Sequence, residues 1–168
     1  MEFKSVNKIF ENSFRTNWDR PAISNYQGVT LKFGDVARRM EKLHIMFEEC
    51  GLQRGDKVAL CSRNQANWAV AFLATMTYGA VPVPLLHEFK SANIHHLVNH
   101  SEAKILFADD VISSHFGASY AKSGKRMLFC EFCRELVDCR CHCVVFSCSH
   151  NRLLSAQSRA VKICLAQT

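Results

Sequence analysis

The chain has 168 residues, 48% of them apolar and 21% charged, a composition that suits a globular domain and is long enough to bury one core. No run of about 18 apolar residues is available to span a bilayer, and the opening MEFKSVNKIFENSFRTNW lacks the apolar stretch and cleavage site of a secretory signal, so a cytoplasmic protein is expected. The formal charge of +6 does not argue for a nucleic-acid partner: residues 1–110 hold 13 Lys+Arg against 12 Asp+Glu, whereas 111–168 hold 8 against 3, so the basic character belongs to the tail.

From residue 28 onward strands and helices alternate with clear punctuation. A short β-like stretch, Val29 to Phe33, leads into a helix opened by Gly34 and Asp35, whose apolar residues Val36, Met40, Leu43, Phe47 and Cys50 recur at spacings of 4, 3, 4 and 3. Gly51 supplies a left-handed C-terminal cap. After the turn Arg54-Gly55-Asp56, the run KVALCS at 57–62 reads as a strand of the kind buried on both faces of a parallel sheet. Asn64 is the expected N-cap of the next helix, QANWAVAFLATMTYG, which is apolar nearly all round and so expected to be buried. Gly79 ends it, and AVPVPL at 80–85 follows as a strand whose two prolines favour a sheet edge. A further helix from Ser91 to about His100 and a strand from Lys104 to Ala108 complete the pattern. The expected fold class is therefore α/β, a parallel sheet covered by helices.

Beyond Asp110 the regularity stops. Seven of the nine cysteines lie after residue 129, and neither LFCEFCRELV nor CVVFSCS has a period of 3.6 or 2. The expected organisation is one partial domain over 1–110 and a basic, cysteine-rich, irregular or disordered tail over 111–168, the tail arising from a frameshift or other non-native sequence.

The segments TLKFGDVARRMEKL, CGLQRGDKVALCSRNQANWAVAFLATMTYGAVPVPL and NIHHLVNHSEAKILFADD together resemble the N-terminal subdomain of the adenylate-forming superfamily, the AMP-dependent synthetases and ligases. The resemblance rests on the order and spacing of Gly51, Gly55-Asp56, Val58-Ala59, Asn64, Gly79-Ala80-Val81 and Val83-Pro84-Leu85. It extends upstream through Phe10, Phe14, Arg20-Pro21-Ala22-Ile23 and Gly28. Its wording looks closest to bacterial long-chain fatty-acid CoA ligases. The resemblance implies a reaction in which ATP adenylates a fatty acid and CoA displaces AMP, with ATP, Mg²⁺ and CoA as the cofactors of a full-length member and fatty acid and CoA as its partners.

The family's phosphate loop, adenine and ribose motifs and lysine-bearing C-terminal domain find no counterpart in the sequence. The nearest approach, GASYAKSGKR, separates Gly117 from Gly124-Lys125 by six residues where a Walker-type loop needs four, and puts Arg126 where a hydroxyl is required. No catalytic, cofactor-binding or metal-ligating residue is assigned, and the chain is expected to be inactive by itself.

Other residues with chemical potential have plainer readings. His96 and His100 share a helix face at i, i+4 but lack a third ligand or the glutamate of HExxH, and read as a solvated or partly buried face. Cys50 and Cys61 read as core thiols, and Trp68, Phe72 and Tyr78 as buried helix, with the lining of an acyl tunnel as their functional alternative. In the tail, Cys130 and Cys133 make one pair of zinc-ligand spacing, with Cys139, Cys141, His142, Cys143, Cys148 and His150 crowded behind it. A tail that bound zinc would make the chain a small non-catalytic interaction protein instead.

Overall fold

The computed structural model describes residues 5–108 and the backbone of 126–129 and 145–146. Apart from those two short strands, the tail, with its cysteine cluster and the GASYAKS stretch, lies outside the described residues. The described residues form two compact units: 5–55 with 64–81, and 56–63 with 82–108 and the two short strands.

The first unit opens with α1 (Val6–Thr16), an element the sequence reading left unassigned. Its apolar residues Val6, Ile9, Phe10 and Phe14 fall at helical spacing, and Ser5 caps it by accepting the Lys8 N–H. Phe14 meets Phe33 edge-on at 5.6 Å, while Val6 and Ile9 stay exposed. A hairpin follows, β1 (Pro21–Ser24) antiparallel to β2 (Thr30–Lys32). β2 runs directly into α2 (Phe33–Glu49), where the Asp35 carboxylate accepts the Lys32 N–H at 3.0 Å.

α2 ends as its glycine requires. Gly51 has φ 69°, its N–H bonds to the Glu48 carbonyl and that of Leu52 to the Phe47 carbonyl. This is the paired 5→2 and 6→1 closure that satisfies the last carbonyls of a helix. The same closure ends α3 (Ala66–Tyr78): Gly79, at φ 90°, bonds to Met76 and Ala80 to Thr75.

The start of α3 corrects the expectation for Asn64. The helix begins at Ala66 after Gln65, which makes no side-chain cap. The cap comes instead from the hairpin turn, where Asn25 Oδ1 accepts the Ala66 N–H at 2.7 Å. Such a bond contributes about 1 kcal/mol, and here it also pins the hairpin to the helix.

The second unit is built on β3 (Lys57–Cys61), β4 (Val81–Pro84) and β5 (Ile105–Ala108). The sheet order is β4-β3-β5, continued by β6 (Arg126–Phe129) and β7 (Val145–Phe146). β3 pairs parallel with β5 in the register Val58↔Ile105 to Cys61↔Ala108. β5 in turn pairs parallel with β6, and β6 antiparallel with β7. All of Val58–Cys61 and Ile105–Ala108 are buried, the pattern of strands covered on both faces.

α4 (Ser91–Ser101) seats Ile94 and Val98 in a cluster with Ala59, Cys61, Ala103, Leu106 and Ala108, with Leu85 at the margin. At its edge the Lys104 ammonium meets Asp56 at 2.7 Å, and the Lys104 N–H closes onto the Lys57 carbonyl. The architecture is α/β with a parallel β4-β3-β5 sheet and accompanying helices, as expected from the sequence. Among the described residues no helix is long and apolar enough to cross a membrane.

Candidate functional site

Polar chemistry in the first unit concentrates between α2 and α3. Arg39 sits in the apolar stripe of α2, three residues after Val36 and four before Leu43, and is only 9% exposed. Its Nη1 donates to Asn67 Oδ1 at 2.7 Å, and it forms no ion pair with a carboxylate among the described residues. A guanidinium out of water and held by a neutral amide has lost hydration without gaining a counter-charge. Asn67→Asp is therefore expected to raise stability by about 1 kcal/mol, since the acceptor becomes charged and lies in the first turn of a helix. Arg39 would hold that carboxyl below the usual aspartate range. The gain is accordingly complete above the ordinary value near ~3.9 and lost as pH falls through the lowered folded value. Thermal melts of parent and variant at neutral and acid pH check both sign and window.

Further along the same helix pair, His44 Nε2 lies 2.9 Å from the Ala74 carbonyl and 3.0 Å from Thr77 Oγ1. A carbonyl only accepts, and Thr77 already donates to Leu73 at 2.8 Å, so the ring carries its proton on Nε2. Tyr78 closes this cluster, its hydroxyl donating to the Leu52 carbonyl at 2.9 Å and its ring meeting Phe47 at 5.3 Å. These hydrogen bonds tie His44, Thr77 and Tyr78 into the packing of the helix pair.

The residues singled out from the sequence fall differently from one another. Cys61 is fully buried as expected, with Sγ 3.9 Å from the Leu86 carbonyl. Cys50 is a correction: it is the C-cap of α2, at the open end of the helix, and only half-buried. Trp68, Phe72 and Tyr78 are likewise half-buried, not buried. The inner face of α3 is occupied by the smaller Ala66, Val70, Ala71, Ala74 and Thr75, and Trp68 and Phe72 stack on each other at 5.3 Å beside it. His96 and His100 are both exposed, with rings 6.0 Å apart and 13° from parallel. Neighbouring His95 is half-buried, and desolvation lowers its pKa below the ordinary histidine value.

Mg²⁺, one of the ligands implied by the resemblance, meets no ready cluster of donor side chains among the described residues. Among the described residues no three His, Cys, Asp or Glu side chains converge on a point. The two best-placed carboxylates are already engaged, Asp35 by Lys32 N and Arg38, and Asp56 by Lys104.

A model of the family described as AMP-binding enzyme matches residues 10–149, across the boundary expected at 110. Surfactin synthase subunit 2 of Bacillus subtilis is 26% identical over 110 residues, 66% of this chain and 3% of its own length. Fatty acyl-CoA synthetase A of Dictyostelium discoideum is 33% identical over 79 residues, 47% of this chain and 12% of its own. Among solved structures, the N-terminal subdomain of Klebsiella oxytoca NpsA in complex with 3-hydroxybenzoyl-AMSN superposes with a TM-score of 0.64 at 25% identity, covering 77% of this chain and 31% of that one. The chain thus spans only 3% and 12% of these two curated relatives, and under a third of a solved N-terminal subdomain of the same fold. With positive φ at Gly51, Gly55 and Gly79 and the family match over residues 10–149, the chain belongs to the AMP-binding, adenylate-forming enzymes and corresponds to part of their N-terminal subdomain.

Proposed function

We propose that this chain supplies scaffold for an enzyme that activates a fatty acid with ATP and passes the acyl group to CoA, and that it does not catalyse by itself. The observation that carries this reading is the family match over 10–149, joined to the likeness to a fatty acyl-CoA synthetase over 79 residues. Adenylation develops negative charge on the reacting phosphate, which has to meet preorganised donors where water is excluded. The described residues offer packing and caps in place of such donors. A different carboxylic acid is the second reading, favoured by the longer match to surfactin synthase and by NpsA, solved with 3-hydroxybenzoyl-AMSN. The zinc-tail reading rests on residues outside those described, and no finding favours it.

Purified chain given ATP, Mg²⁺, CoA and palmitate is expected to release AMP at the no-protein rate. Turnover above that rate, in a preparation cleared of host ligases, overturns the claim of inactivity. Palmitate and 3-hydroxybenzoate, compared in a polypeptide restored to family length, separate the two readings of the acid.

The origin of the tail belongs to the same proposal. The rise in charge and cysteine after 110 supports a change of reading frame. The family match runs to 149, and β6 and β7 continue the sheet past 111, so we place that change later than 111 and no earlier than the end of the match. Resequencing the coding DNA across codons 100–170 and translating all frames decides it. A second frame that resumes the α/β pattern and reaches a Ser/Thr/Gly-rich loop with lysine supports the frameshift, and the absence of one overturns it.

A further inference from the structure

α4 is fastened to the sheet through Ile94 and Val98. Ile94 and Val98 are buried among Ala59, Cys61, Leu106 and Ala108, so the helix is held by the sheet whatever its outer face carries. That outer face bears His96 and His100, one turn apart, exposed, with ring planes 13° from parallel and centroids 6.0 Å apart. No Lys, Arg, Asp or Glu lies between Ser91 and Ser101, and the exposed neighbours on that side are Ala92, Asn93 and Asn99.

We propose that His96 and His100 form a two-ligand site for a divalent transition metal of the zinc, nickel and copper group, with water completing the coordination. Side chains at i and i+4 are neighbours on a helix surface, and rotation about each Cβ–Cγ bond turns one nitrogen of each ring toward a common ion at the usual ~2.0–2.1 Å. Two imidazoles without a carboxylate select this group of metals over magnesium or calcium, which take oxygen ligands. The helix is already ordered by Ile94 and Val98, so binding does not have to order it. His95 is not a ligand, because it is one position and about 100° around the helix from His96 and is half-buried. An ion bridging His96 and His100 binds the folded helix and not the unfolded one, and so stabilises α4 by mass action.

The cysteines of the tail compete for the same ions, so the test has to read α4 itself. Nickel(II) is added to the full chain after chelator treatment and followed by NMR. The expected result is paramagnetic broadening of the His96 and His100 ring signals and of α4 amides within a turn of them. His96→Gln and His100→Gln, both at exposed positions, are each expected to weaken this binding by about tenfold or more, since losing even a supporting partner at a metal site costs about that much. Far-UV circular dichroism is expected to be unchanged in both variants. Broadening confined to 130–150, or broadening at α4 that persists in either variant, overturns the proposal.

Discussion

Replacing Phe47 with alanine is expected to cost about 3–5 kcal/mol, the usual range for a fully buried phenylalanine. Phe47 has no exposed surface, and three features of the first unit meet at it. Its ring meets Tyr78 edge-on at 5.3 Å and lies 6.4 Å from the His44 ring. Its carbonyl accepts the Leu52 N–H that closes α2, and the Leu52 carbonyl accepts the Tyr78 hydroxyl. Truncation therefore leaves a cavity between α2 and α3 next to the cap that ends α2. Domains of this size are stable by about 5–15 kcal/mol, so the loss is a large fraction of the total, and the urea midpoint is expected to fall by about 1 M or more. Tyr78→Phe is the calibrating variant. It keeps the ring and removes only the hydroxyl bond to Leu52, a change worth about 1 kcal/mol. A Phe47→Ala loss no larger than that of Tyr78→Phe would mean that the helix pair closes over the gap and that Phe47 does not organise the unit.

What could be read from the sequence, and what could not, divides by whether the cause is local. Gly51 and Gly79 were legible because a left-handed residue after an apolar period has one common use, and both have positive φ. KVALCS was legible because a short apolar run between a turn and a cap fits few other structures, and β3 covers nearly all of it. Asn64 was misread for a non-local reason: the oxygen that caps α3 comes from Asn25, 41 residues earlier, and no local pattern announces it. α1 was missed although Val6, Ile9, Phe10 and Phe14 are at helical spacing, because none of its residues is buried and the stripe is weakly set off from its surroundings.

The candidate site divides in the same way. The spacing of His96 and His100 is visible in the sequence, but their exposure and near-parallel rings depend on which face of α4 the sheet takes. Arg39 carried a usable signal, since it stands in the stripe with Val36, Met40 and Leu43. Beside Arg38 it still reads as a surface residue until α3 brings Asn67 over it. Trp68 and Phe72 were placed too deep because an all-apolar helix does not announce which face is innermost, and here small residues take that face.

The second large effect concerns β4, and it turns on which way its prolines face. Leu85 donates its N–H to the Leu60 carbonyl at 2.8 Å. Backbone groups alternate sides along a strand, so Val83 faces β3 with Leu85 while Pro82 and Pro84 face away. Among the described residues β4 is a terminal strand of its sheet, and both outward positions lack an N–H. Strand addition needs donors and acceptors in alternation, and this edge offers carbonyls alone. The protection matters because exposed Val81, Leu86 and Phe89 lie along or just beyond the strand.

Replacing both Pro82 and Pro84 with valine restores two outward donors and raises β propensity at once. The expected result is self-association that grows with concentration, measured by sedimentation velocity at about the tens of micromolar where exposed edges become a hazard. Either single variant restores one donor and is expected to associate less. Thermal melting of the double variant is expected to match the parent at low concentration, which separates edge pairing from aggregation of unfolded chain. A double variant that sediments as the parent does at every concentration would mean that something other than the missing donors closes this edge.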